Sequence, residues 1–543
     1  MKATIKLKYL ILVMAIAMIG ISAQAQKAAS DEDSTAQKIR AAVMKVYDDQ
    51  LAETPDAYDV RYARAMQLYF NGDYAKSLDD INIVISQCPE KEADQLYDAL
   101  ILRAKLYDAQ GNTAAEAQDL QRATAINPSS LNGIDLTAKL ALKQGNLTEA
   151  ESGFNAILRQ SPQNYDAFYG LAQVEAQRGN NDKAIEFCDR AVKLFPQDPT
   201  VYYNRANVYK TIGAYENAAE DYIIAMSLSS GGNKGIAELW AMSNAHYDAV
   251  MSALQRAIDN APRQGNFYYL RAEIAKTYLH YGQALHDFNI IIDNNFYDDY
   301  TIYEDAARCQ FELTMYDEAL KNVNKALQKS PTAIDAYVLK AQITRYQGTG
   351  NNYALAISVL KEAEALKPNY APVLIAEARN LYALGQKDEA MNALNKVIAA
   401  DPHNNEALLL RGFISKYRLR KPDEALADFS AMLANGDNMA SLRGFALHEI
   451  GKDEEARQWA RKIIADNPLP GGEAYYYAAA LLSDIDPADE QALKYFESAL
   501  ANGFGSKFLA EVSEEYYVNL KLLRRNENFA TVLNRYTDNF EVK

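Results

Sequence analysis

An all-α array of stacked helix pairs is the fold that this sequence predicts, on three observations. Prolines close one segment after another at a recurring interval of 34 residues. Alanines return at two fixed places within each interval, and each segment carries an apolar stripe at helical spacing. The stretch "GNNDKAIEFCDRAVKLFP" (Gly179 to Pro196) shows all three. Ala184, Ile185, Cys188, Ala191, Val192 and Phe195 recur every three or four residues and form one apolar face, leaving Asp182, Lys183, Glu186 and Arg190 toward water. One such helix cannot bury its face alone, so a neighbour of the same kind is required.

The neighbours are in the sequence. "GDYAKSLDDINIVISQCP" ends at Pro89, "GNTAAEAQDLQRATAINP" at Pro128, "GNLTEAESGFNAILRQSP" at Pro162, "GQKDEAMNALNKVIAADP" at Pro402 and "GKDEEARQWARKIIADNP" at Pro468. Nine of the fifteen prolines take this closing place (89, 128, 162, 196, 262, 331, 368, 402, 468), at intervals of 39, 34, 34, 66, 69, 37, 34 and 66. The three long intervals each hold one further unit without its proline, ending near Ser230, Phe296 and Gly436. Proline ends a helix and pushes its predecessor out of the helical region.

The alanines predict how the helices cross. After the turn, alanine stands at 150, 184, 218, 284, 319, 356, 390, 425, 456 and 492; seven residues before the turn it stands at 65, 104, 138, 172, 206, 272, 307 and 378. Two helices joined by a tight turn approach closely where neither has a bulky side chain.

This pattern resembles the tetratricopeptide repeat, a 34-residue helix–turn–helix unit. In "YDAFYGLAQVEAQRGNNDKAIEFCDRAVKLFP" the family's positions fall on Phe168, Leu171, Ala172, Gly179, Ala184, Cys188, Ala191 and Pro196. "TVYYNRANVYKTIGAYENAAEDYIIAMSLSS" matches at Tyr202, Ala206, Gly213, Ala218, Tyr222 and Ala225, with Ser230 in place of the proline. The resemblance implies a right-handed α-solenoid of about thirteen repeats between Ala57 and Phe504, closed at both ends by helical caps.

The domain organisation follows. Residues 1–25 read as a signal peptide: a basic "MKATIKLK", an apolar run from Tyr9 to Ile21, and the small-x-small end Ala23-Gln24-Ala25. Cleavage between Ala25 and Gln26 is expected, with export to the periplasm or beyond; the apolar run is short of the ~20 residues that span a bilayer, and the mature chain has no other candidate. Residues 26–54 form a linker and capping helix around Ala36–Leu51, 55–504 the repeat array, and 505–543 C-terminal capping helices. "GGNKGIAELWAMSNAHYDAVMSALQRAIDNAP" has a short first helix, with Glu238 where alanine is usual, so a bend near 229–262 is one reading and a degenerate repeat the other. "QGTGNN" at 347–352 lengthens a turn.

Composition narrows the function. Hydrophobic residues at 49% and charged residues at 24% are those of a folded protein. The net charge of −16 becomes −16 − 3 = −19 once Lys2, Lys6 and Lys8 leave with the leader, which argues against a nucleic-acid partner. Three scattered cysteines (88, 188, 309) form neither a disulfide framework nor a zinc site, and Cys188 lies on an apolar stripe as a small core residue. The five histidines (246, 280, 286, 403, 448) fall in different repeats, and the chain lacks H-E-x-x-H, G-x-S-x-G and G-x-x-x-x-G-K-[ST]. No catalytic set, cofactor or metal is therefore expected. Acidic pairs such as Asp79–Asp80 read as solvated outer faces.

Binding is the function left. The resemblance implies a concave groove lined by the first helix of each unit, on which fall Tyr169 and Gln173, then Tyr203, Asn207 and Lys210, then Tyr269, Glu273 and Lys276, then Arg308, Arg345, Arg379 and Tyr382. The lysine–asparagine clamp of chaperone-binding members is absent, because Tyr203 stands where its lysine belongs beside Asn207. Two classes follow. One is an envelope scaffold holding a partner protein or peptide, the basic groove residues suiting acidic or carbonyl groups; the other is a glycan-binding module stacking sugars on the groove tyrosines.

Overall fold

The computed structural model describes residues 40–88, 92–229, 235–278, 280–347, 352–435, 440–465, 472–501, 520 and 522–536. Residues 1–25 with the Ala25–Gln26 junction lie outside them, as do Pro89, Pro468 and the middle of the "QGTGNN" turn. Among the described residues the regular structure is entirely helical, in thirteen consecutive helix pairs from Tyr58–Phe70 with Tyr74–Gln87 to Gly472–Ile485 with Glu490–Ala501. Residues 40–53 are helical ahead of the first pair, and a short turn at Leu523–Arg525 and a helix at Phe529–Tyr536 follow the last.

The chain forms two compact units, residues 2–239 and 240–543. Five complete pairs lie in the first. The boundary falls inside Ile236–Ser243, an eight-residue first helix where most others have thirteen.

Each pair forms for local reasons that the sequence carries. The turn between its helices needs one left-handed residue, and glycine supplies it at 72, 111, 145, 179, 213, 385 and 451, with φ from 72° to 82°. Thr314 and Arg420 take the same place with φ of 62° and 57°, without glycine's freedom. At the other end of the unit, the residue before each closing proline leaves the helical region: Asn127, Ser161, Phe195, Ala261, Ser330, Lys367 and Asp401 all have φ from −130° to −141° and positive ψ.

Both alanine series lie at the helix crossings. Every one of those eighteen positions is buried to 0% or 1% exposure, so a larger side chain there would meet the facing helix. Where alanine is missing, glycine or a strained substitute takes over. A Cβ on Gly412 would stand 2.6 Å from the Phe429 ring, and one on Gly444 would stand 2.3 Å from Leu481. Glu116 occupies the second crossing place of its pair, buried, with Oε2 unpartnered among the described residues.

The helix Asn405–Ile414 runs on into a π-helical turn, Ser415–Leu419, before Arg420 ends it. This turn takes up one extra residue: Arg411 reaches Asp428 17 residues on, where corresponding pairs elsewhere are 16 apart.

That pairing is a second stabilising device, and it corrects the reading of the acidic residues as solvated. The arginine before the crossing residue of the first helix grips an aspartate on the second through Nε and Nη2. Arg64 holds Asp80 at 2.7 and 2.6 Å, Arg103 holds Asp119 at 2.7 and 2.7 Å, Arg205 holds Asp221 at 2.7 and 2.8 Å, and Arg271 holds Asp287 at 2.7 and 2.7 Å. Arg411 holds Asp428 in the same way, at 3.0 and 2.6 Å. The remaining Nη1 reaches back to Asp48, Asn82, Asp189, Gln255 or Asn395, joining each pair to the helix before it. Asp80 is therefore buried and bidentate, while a planar guanidinium satisfies three acceptors at once. At Arg443 the same place finds an aromatic ring, with the guanidinium 5.4 Å from the Trp459 centroid.

Candidate partner-binding surface

The first helices hold the groove positions, and the structure brings those of the N-terminal unit together. Tyr169 and Gln173 lie one turn apart on Tyr165–Gln177, and Gln173 Nε2 donates to the Tyr169 hydroxyl at 3.2 Å. Tyr203, Asn207 and Lys210 share one side of Pro199–Thr211. Asn207 stands at the centre. Its Oδ1 accepts from the Tyr222 hydroxyl at 2.7 Å, and its side chain also interacts with the phenols of Tyr169 and Tyr203. Tyr222 comes from the second helix, fully buried, its ring 5.5 Å from that of Tyr203. Burial pushes the Tyr169 phenol up to about 12 and raises that of Tyr203, so both remain protonated donors. Tyr169, Gln173, Tyr203, Asn207 and Lys210 are all half-buried, with packed bodies and polar tips facing out.

The basic groove residues are already paired, and this corrects the expectation that they await an acidic partner. Lys210 Nζ lies 2.6 Å from Glu238, which also accepts from Tyr203 at 3.3 Å. Lys276 sits between Glu273 at 2.7 Å and Asp305 at 2.6 Å. Arg379 meets Glu406 at 2.9 Å, and Arg308 meets Glu304 at 3.4 Å. Arg345 is buried, with its guanidinium 4.9 and 5.2 Å from the Tyr346 and Tyr353 ring centres.

Two groove tyrosines belong to the packing. Tyr269 is buried edge-on to Phe288, and Tyr382 is buried with its hydroxyl accepting from Arg418 Nε.

Sequence reasoning missed the acids of these pairs. A signal for them exists: Glu238, Asp305 and Glu406 lie 28, 29 and 27 residues after the cations they meet. That is the distance from the end of one first helix to the start of the next.

The electrostatics of the C-terminal unit centre on the Lys276 triad. Burial, then the Asp305 charge, push the Glu273 carboxyl up to about 7 against the pull of Lys276. The ammonium of Lys276 is raised by its two carboxylates despite its own burial. Burial likewise raises the Cys188 thiol to about 12, and both Cys188 and Cys309 are core residues.

For sugar stacking the tryptophans offer little: Trp240 is buried, and the Trp459 ring lies between Arg443 and Lys462 at 5.4 and 5.5 Å. Among the described residues no group of three or more His, Cys, Asp or Glu side chains is placed to hold a metal ion, and no helix is long and apolar enough to cross a membrane.

Comparison with known proteins agrees with this architecture. Family models described as the tetratricopeptide repeat match residues 136–199, 199–230 and 350–412. The chain is a tetratricopeptide repeat protein. No curated protein matches it in sequence. Among solved structures it is similar to a thermophilic TPR protein of Thermus thermophilus, at 22% identity over 34% of this chain and 98% of that one, with a TM-score of 0.31. It is also similar to yeast Tom70, at 16% identity over 75% of this chain and 98% of that one, with a TM-score of 0.34. A third is YrrB, described as a TPR protein with an unusual peptide-binding site, at 15% identity over 41% and 95%, with a TM-score of 0.26.

Proposed function

We propose that this protein is a non-catalytic scaffold that binds a partner protein or peptide on the first-helix face of its repeats, and that it works in the bacterial envelope after export. The observation that carries the binding reading is the Asn207 cluster, in which three tyrosines from two successive repeats converge on one amide. Such rings combine apolar area with a polar tip at small entropic cost, which suits them to anchor a partner. The cluster offers hydroxyl and amide groups without a free charge, since Lys210 is neutralised by Glu238. It therefore suits the polar groups of a peptide chain better than a carboxylate.

Export is supported by the basic, apolar and small-residue segments of residues 1–25. Amino-terminal sequencing of the protein from envelope fractions is expected to begin at Gln26; intact Met1 on cytosolic protein would contradict export. For binding, a photo-cross-linking side chain at position 203 is expected to capture a partner that the same probe at exposed position 186 does not. Identical capture at both positions would place binding elsewhere.

A further inference from the structure

The paired cations of the first-helix face leave a surplus of acid near the end of the C-terminal unit. Lys416 and Tyr417 lie in the π-helical turn Ser415–Leu419, Glu449 ends the next first helix, Ala440–Glu449, and Asp484 is in the one after, Gly472–Ile485. Lys416 Nζ lies 2.6 Å from Glu449 Oε2, and the Tyr417 hydroxyl donates to Glu449 Oε1 at 2.8 Å. Both oxygens of Glu449 are thus satisfied. Asp484 has no hydrogen-bond or ion-pair partner among the described residues, although it is half-buried and near enough to Glu449 and Tyr417 to influence both.

The charges are one ammonium against two carboxylates. Burial, then Glu449, push the Asp484 carboxyl up to about 7, as for an acid whose counter-ion is missing. Beside it, Tyr417 is 53% exposed, its ring stacked on Phe413 at 5.9 Å and 14°. An open aromatic ring beside an unpaired carboxylate is an arrangement that attracts a cation.

We infer that Tyr417, Glu449 and Asp484 form a receptor for a basic side chain, a lysine or arginine of the bound partner, which enters over the Tyr417 ring and pairs with Asp484. The inference rests on the scaffold reading and gives its partner a chemistry: a segment that carries positive charge. It also fits the rest of this face, where Glu273 and Asp305 outnumber Lys276 in the same proportion. A bound cation supplies Asp484 with the partner it lacks and leaves the Lys416–Glu449 pair in place.

The test measures binding of fluorescein-labelled hexalysine and its fully acetylated counterpart to the full-length chain by fluorescence anisotropy, at low and at physiological salt. Hexalysine is expected to bind and the acetylated peptide not to. Asp484→Asn, which loses no partner, is expected to weaken hexalysine binding about tenfold, the effect of losing one charge-assisted contact. Tyr417→Leu is expected to weaken it less, and Glu186→Gln on the outer face of the N-terminal unit to leave it unchanged. Equal affinity for the acetylated peptide overturns the inference, as does unchanged affinity in Asp484→Asn, or equal losses in Asp484→Asn and Glu186→Gln. Cross-linking from position 203 reports on the scaffold reading separately. Capture there with an unaffected Asp484→Asn variant refutes only the receptor, whereas identical capture at 203 and 186 refutes the reading beneath it.

Discussion

Arg205 lies flat against Asp221, with Nε and Nη2 2.7 and 2.8 Å from its two oxygens, while Nη1 reaches Asp189 of the preceding repeat at 2.7 Å. One side chain thus ties together three helices of a tandem array, in which each repeat is otherwise held by its neighbours' apolar faces alone. Asp221 is buried, so it could not be left charged without the guanidinium. Arg205→Met is expected to destabilise the N-terminal unit by about 3–5 kcal/mol, the effect of stranding a buried charge, whereas Arg205→Met with Asp221→Leu should recover most of it. Urea unfolding of both variants checks this, and equal losses in the single and double variants would contradict it.

A second prediction comes from backbone geometry. Thr314 takes a left-handed turn position, φ 62°, that glycine holds in seven other repeats. Thr314→Gly is expected to stabilise the protein by about 1 kcal/mol by removing the strain of a β-branched residue there. A higher thermal midpoint is the expected result; an unchanged or lower one would show that the neighbouring packing has absorbed the strain.

Ala218 tests the register itself. It is fully buried at a crossing, and Ala218→Leu is expected to overpack the pair and cost about 1–3 kcal/mol. Unchanged unfolding would mean that the crossing lies elsewhere.

Much of the fold was legible because proline, glycine and alanine act locally. Pro162 and Pro196 end helices, Gly179 and Gly213 turn the chain, and Ala184 and Ala218 mark contacts. The arginine clamps were visible in the same sense, as Arg-Ala at 64, 103, 205 and 271 with aspartate 16 residues on. Their meaning was not visible, because an acid on an amphipathic helix reads as solvated until the facing helix is known. The site was less legible for a related reason. Groove positions can be numbered within one repeat, but Lys210, Lys276 and Arg379 are neutralised by acids of the next. Tyr269 and Tyr382 are likewise covered by Phe288 and Arg418, neighbours that a repeat-by-repeat reading does not supply.

Glu116 gives a prediction in pH. Burial raises its carboxyl above the ordinary value of 4.5, so the folded state favours the protonated form. A group raised on folding costs nothing while protonated in both states. Its cost appears as pH climbs through the unfolded value and is complete above the folded one. Glu116→Ala, which restores the usual crossing residue, is expected to stabilise the protein by about 1 kcal/mol at pH 7. The gain should vanish below about pH 4. Thermal midpoints measured from pH 3 to 8 check the sign; a gain that grows toward acid would contradict it.

The central claim is that the Asn207 cluster holds a partner, and one measurement bears on it most directly. With a partner captured by cross-linking from position 203, its affinity is measured by calorimetry for the unaltered protein, for Tyr203→Ala and for the exposed control Glu186→Ala. Thermal unfolding of each variant establishes that it is folded. Tyr203→Ala is expected to weaken binding by about 2 kcal/mol or more, as for a truncated anchor residue, while Glu186→Ala leaves it unchanged. A folded Tyr203→Ala protein that binds the partner with undiminished affinity would contradict the account.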